Sequence, residues 1–219
     1  MSVKLLLRVL GCVVAFALGL GSTVAFAAVG QDGRRTSSNA VDGTTSGVRG
    51  DSFTMRTNQC VLYSILMYNE TSPHMVETGL VRCNAATIDG TCRTGHAFAE
   101  RYNGAAFYCN EGNTFANGTT FNPIVSRDSG SSVSGAISGA SIAQGGFPTG
   151  DAIKAYAWGE ATGGASCPPG STNGAFRGWQ VLVGGWAVVG GQSVFHGGTL
   201  SGAPCFSVGG YSGGDFDVS

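Results

Sequence analysis

Two glutamates stand where acids are expensive. Glu77 lies in His-Met-Val-Glu-Thr-Gly-Leu-Val-Arg-Cys (residues 74–83) and Glu160 in Ala-Tyr-Ala-Trp-Gly-Glu-Ala-Thr (residues 155–162). Both segments read as β-strands with one carboxylate among apolar residues. Such an acid costs free energy unless it is exposed, paired or used. Two acids on facing strands could share a proton and divide acid and base roles. Alternation places Met75, Gly79 and Val81 on the face of Glu77, and Lys154, Tyr156 and Trp158 on that of Glu160. Rings, one cation and one acid together suit a ligand-facing surface, with Tyr156 and Trp158 as candidate substrate-binding residues. The plainer alternative is that both acids sit on a solvated sheet face.

Other chemistry has weaker support. His74, His96 and His196 show no metal spacing and no C-x-x-C pair exists, so neither a metal nor an organic cofactor is expected. Gly210-Tyr211-Ser212-Gly213-Gly214 fits the G-x-S-x-G string, but no Asp…His pair follows it. Arg49-Gly50-Asp51 is a tripeptide that some adhesion receptors read, and so short a string arises often by chance.

The elements that must position the acids are strands. An apolar run covers residues 60–67. Strand signals at 91–101 and 105–109 flank Tyr102-Asn103-Gly104, where Asn-Gly marks a turn. Pro123 makes 119–126 an edge or bulged strand. Residues 129–146 are rich in Ser, Gly and Ala and predict a thin strand pair that another sheet can approach closely. A strand pair around Gly184-Gly185 and one more strand at 192–207 follow. No amphipathic helix of useful length appears. The pattern predicts an all-β, antiparallel, jelly-roll-like sandwich over residues 53–210. Residues 29–52, almost without large apolar side chains, read as a flexible lead, and 211–219 as a flexible tail.

Charged residues are 11% of the 219-residue chain, glycine numbers 37 and the formal net charge is −1. Low charge with many Gly, Ser and aromatic residues favours an extracellular β domain, and no basic patch points to nucleic acid. Lys4 and Arg8, an apolar run from Val9 to Leu20, and Ala25-Phe26-Ala27-Ala28 form a signal peptide over residues 1–28. The chain is therefore expected to be secreted, with no membrane span after cleavage. The mature protein should begin near Ala28 or Val29. N-terminal sequencing of the exported protein checks this, and Met1 on membrane-bound material would contradict it. Beyond Cys12, six cysteines remain: Cys60, Cys83, Cys92, Cys109, Cys167 and Cys205. An even number in an exported chain reads as disulfides. Of the possible pairings, a Cys83–Cys92 staple around Asp89-Gly90 is the first choice.

Three segments, in order, resemble the neprosin-type glutamic peptidases, a β-sandwich family with two catalytic glutamates. Val76-Glu77-Thr78-Gly79-Leu80 is similar to the family's Ile-Glu-Ala-Gly-Trp strand. Trp158-Gly159-Glu160 is similar to its second glutamate motif. Phe176-Arg177-Gly178-Trp179-Gln180-Val181 resembles a later strand, Phe-Arg-Asn-Ile-Gln-Val. The resemblance covers residues 60–183. It departs at Leu80, where the family has Trp, and in the single glycine before Glu160. It implies a disulfide-bonded sandwich in which Glu77 and Glu160 hydrolyse peptide bonds at acid pH, with Tyr156, Trp158 and Arg177 binding a peptide or protein substrate. The alternative is a non-catalytic secreted module that binds glycan or protein at the cell surface.

Overall fold

The computed structural model describes residues 29–37, 40–84, 92, 94–147, 153–170 and 172–219. Within them the chain forms fifteen strands and no helix. In chain order these are β1 (Val29–Thr36), β2 (Gly43–Ser52), β3 (Gln59–Asn69), β4 (His74–Asn84), β5 (His96–Tyr102), β6 (Phe107–Thr114), β7 (Thr120–Phe121) and β8 (Ile124–Ser129). They continue with β9 (Ser132–Ile137), β10 (Ala140–Gln144), β11 (Ile153–Thr162), β12 (Asn173–Leu182), β13 (Trp186–Val188), β14 (Gln192–Gly198) and β15 (Phe216–Val218). One sheet has seven strands in the order β14-β1-β11-β3-β4-β5-β6. The other has eight, in the order β10-β9-β8-β2-β12-β13, with β15 joined to β12 and β7 to β2. All the named strands pair antiparallel. The all-β sandwich read from the sequence is the fold observed.

The run at 60–67 is apolar throughout because β3 is buried on both faces. Its odd positions, Val61, Tyr63, Ile65 and Met67, join Phe176, Trp179 and Phe216 in the core between the sheets. Its even positions, Leu62, Leu66 and Tyr68, build a second cluster with Met75, Phe98, Tyr156 and Trp158. That cluster draws only on the seven-stranded sheet and its Cys92 cross-link, so it marks the sheet face turned away from the core. Glycine lets the two sheets meet: a Cβ added to Gly135 of β9 would stand 2.7 Å from Thr78 Cγ2 and 2.8 Å from Val76 Cγ1. The Asn103-Gly104 turn forms as expected, with Asn103 Oδ1 accepting from the backbone N–H groups of Ala105 and Ala106 and Gly104 at φ +84°.

The structure differs from the sequence reading at both ends. Residues 29–52 hold β1 and β2, and β2 lies inside the second sheet. These strands carry little apolar surface of their own and lend a tight-fitting backbone to large neighbours. A Cβ on Gly33 would come within 2.2 Å of Ala157 O and 2.5 Å of Trp158 Cα. The region read as a tail supplies β15, whose Phe216 stacks on Phe176 with ring centroids 4.8 Å apart. Arg49-Gly50-Asp51 lies in β2, its Arg49 paired to Asp51 at 2.8 Å, so the tripeptide is part of a ladder. The signal segment lies outside the described residues.

The cysteine pairing also differs from the first choice. The bridges are Cys60–Cys83, Cys92–Cys109 and Cys167–Cys205. Cys83 faces Cys60 directly across the β3–β4 ladder, a partner that long-range pairing supplies and a local turn cannot. Asp89-Gly90 lies outside the described residues.

Buried and half-buried tyrosines set an alkaline limit. Burial pushes the phenols of Tyr63, Tyr68, Tyr156 and Tyr211 above the ordinary value of 10.0. With the folded pKa raised, the stabilisation is fully present below about pH 10 and is lost as the pH rises through the folded values. The thermal midpoint should therefore drop steeply above about pH 10. A midpoint unchanged to pH 12, read by circular dichroism, would contradict the assignment.

Candidate active site

The outer face of the seven-stranded sheet gathers the acids. Glu160 on β11 pairs in register with Gln31 on β1 and Leu62 on β3. Glu77 on β4 pairs with Leu66 on β3 and Glu100 on β5. Directly opposed residues point to the same side of a sheet, so Gln31, Glu160, Glu77 and Glu100 share one face with Tyr156 and Trp158. All four are buried: Glu77 is 3% exposed, Glu100 5% and Glu160 7%.

Each acid has built partners. Gln31 Nε2 donates to Glu160 Oε2 at 2.8 Å. Trp158 Nε1 donates to Glu77 Oε1 at 3.1 Å, and Ser64 Oγ donates to the same oxygen. Trp158 stands one residue pair from Glu77 because Trp158 faces Ser64 on β3, two residues before Leu66. Its indole packs 5.4 Å from the Tyr156 ring and 5.9 Å from that of Phe195. Beyond Tyr156 the face becomes mixed in charge. The Tyr156 hydroxyl donates to Glu70 Oε1 at 3.1 Å, and Lys154 Nζ lies 2.9 Å from Glu70 Oε2.

The register also measures what separates the two glutamates. Glu160 is level with Leu62 and Glu77 with Leu66, with β3 between them. Four residues at ~3.3 Å each place them roughly 13 Å apart along the strand. The carboxyl directly beside Glu77 is that of Glu100.

Of the sequence-predicted site residues, Glu77, Glu160, Tyr156 and Trp158 come to one face. Arg177 does not. It lies on β12 in the other sheet, where Nη2 contacts Asp217 Oδ1 at 2.6 Å and Nη1 donates to Phe216 O at 3.0 Å. It fastens β15 to β12. Three residues of the site were missed: Gln31, Ser64 and Glu100. Glu100 carries the same signal as Glu77, an acid ending Ala-Phe-Ala-Glu in a strand. Gln31 and Ser64 have no such signal, since a neutral polar residue costs little until its partner is known. Among the described residues no group of three or more His, Cys, Asp and Glu converges as a metal site, and no helix is long and apolar enough to cross a membrane.

No family model and no curated protein matches this chain. Solved structures do. Scytalido-glutamic peptidase with a peptide-based transition-state analog superposes with a TM-score of 0.60 at 12% identity, over 86% of this chain and 97% of that chain. The same peptidase with a transition-state analog inhibitor gives 0.60 at 11%, over 86% and 97%. SCP-B, a member of the eqolisin family of peptidases in complex with the tripeptide Ala-Ile-His, gives 0.58 at 11%, over 86% and 96%. The chain has the glutamic-peptidase fold. The likeness is to the eqolisins, where the sequence motifs resemble the neprosin type. Three disulfides are consistent with an extracellular setting.

Proposed function

We propose that this is a secreted, peptidase-like protein that uses glutamates on the outer face of its seven-stranded sheet to hydrolyse peptide bonds at acid pH. The observation that carries the reading is Glu77: a buried carboxylate whose one oxygen accepts from both Ser64 and Trp158, in a fold shared with inhibitor-bound glutamic peptidases. Two donors on one oxygen favour the ionised form. Glu77 is then the base that takes a proton from water as the hydroxyl oxygen bonds to the scissile carbonyl carbon. A protonated carboxyl polarises that carbonyl and returns a proton to the leaving amine as the C–N bond breaks. In this reading Glu160 is the second glutamate, Tyr156 and Trp158 bear on the substrate, and acid pH supplies the proton that the acid partner must carry. The neprosin-type motifs support the same pair.

A second reading, binding of a peptide or cell-surface glycan without cleavage, is favoured by one observation. The four-residue offset along β3 sets Glu160 too far from Glu77 for both to hold one water, and Glu160 is engaged by Gln31. Incubation of the exported protein with a mixed peptide library from pH 2 to 8, followed by mass spectrometry, separates the two. New termini appearing only at acid pH support hydrolysis. Retention of peptide or glycan without cleavage at any pH supports binding.

A further inference from the structure

We propose that Glu100 is the positioning partner of Glu77: the two carboxyls face each other across the β4–β5 ladder and hold one proton between them, seated on Glu100. The register pairs Glu77 with Glu100 directly. Opposed residues on one face have Cβ atoms about 4.5–5.5 Å apart, and like charges there are destabilising. Both side chains are almost fully buried, where the repulsion is stronger than in water. One shared proton removes it. The two hydrogen bonds to Glu77 Oε1 from Ser64 and Trp158 favour the ionised form of Glu77, and in this proposal the proton sits on Glu100.

Cys109, level with Glu100 on β6, is oxidised in the Cys92–Cys109 bridge. The other titratable or charged groups on this face are Arg35 of β1, Tyr68 of β3, Lys154, Tyr156 and Glu160 of β11, His96 and Tyr102 of β5 and Glu111 of β6. Burial raises Tyr68 and Tyr156, so both stay neutral through the acid and neutral range. His96 Nδ1 is within hydrogen-bond distance of Gly112 O, at 3.0 Å. Glu111 is level with Phe98, two residues along β5 from Glu100.

The proposal rests on the peptidase-like reading for its catalytic consequence alone, and the test separates the two. Thermal unfolding of the wild type, Glu77→Gln, Glu100→Gln and the double variant is followed from pH 3 to 9, beside infrared spectra of the wild type and Glu100→Gln. The wild-type midpoint should fall as the pH rises from about 5 to 8, because a proton held more tightly folded than unfolded stabilises only while it stays bound. Each single variant should be flat over that range and more stable than wild type at pH 8, and the double variant should gain nothing further. The wild type should show the C=O stretch of a protonated carboxyl at neutral pH, and Glu100→Gln should lose it. If the protein cleaves peptides, Glu100→Gln should move the alkaline limb of its pH profile, which a merely structural role would leave in place. Additive single effects with a pH-independent wild type would overturn the proposal, as would both single variants being less stable at every pH. Should the variants fail to fold, the presence or absence of the wild-type infrared band decides. An inert protein with the expected stability pattern would sink the peptidase reading and leave the shared proton standing.

Discussion

Glu77→Gln should lower peptide cleavage at acid pH by roughly 10²–10⁴-fold, the usual contribution of a positioned acid or base, with folding intact. Gln keeps the shape of Glu, and its amide oxygen still accepts from Ser64 Oγ and Trp158 Nε1. Only the capacity to take a proton is gone. The companion variant divides the roles. If Glu160 moves a proton, Glu160→Gln should show a loss of similar size. If Glu160 serves to hold Gln31 and substrate, the amide oxygen introduced by Glu160→Gln still accepts from Gln31 Nε2, and the loss should stay within about tenfold, the cost of about one hydrogen bond. The measurement is kcat/KM on a cleaved library peptide at its pH optimum, with circular dichroism as the check on folding. Full activity of Glu77→Gln would remove Glu77 from the chemistry, and a wild type inert at every pH would remove the enzyme.

Reduction of the three bridges should unfold the protein at ambient temperature. They span sequence separations of 23, 17 and 38 residues. On the chain-entropy model loops of that size stabilise by about 3–4 kcal/mol each. Together that is on the order of the whole stability of a domain, about 5–15 kcal/mol. The effect is enlarged in a chain with 37 glycines, whose unfolded ensemble has more freedom to constrain. Free-thiol counting and circular dichroism before and after reductant provide the check. A reduced protein that keeps its β spectrum and its thermal midpoint would refute the estimate, and free thiols in the native exported protein would refute the bridges as cross-links of the exported form.

Much of this molecule was legible in its sequence because strand signals are local. Alternation around Glu77 and Glu160, the doubly apolar run at 60–67, the Asn103-Gly104 turn and the Gly-rich stretch around Gly135 each report on a few neighbouring residues, and together they specify a sandwich. The even cysteine count specified bridges in the same way. What the tertiary structure decided is everything that depends on a partner far along the chain. β1 and β2 look too polar and too small to order themselves, and they are ordered because Trp158, Phe53 and Tyr63 need glycine backbone against their rings and main chain. Cys83 found Cys60 through register rather than through the nearby Asp-Gly turn. Arg177 went to the opposite sheet because its strand pairs with β2 and β15. The site itself divides along the same line. Sequence singled out Glu77, Glu160, Tyr156 and Trp158, since an acid or a large ring in a strand is conspicuous by its own chemistry. Only strand register could set Glu100 opposite Glu77 and bring Gln31 to Glu160, because which carboxyl faces which is a property of the ladder and of no single segment.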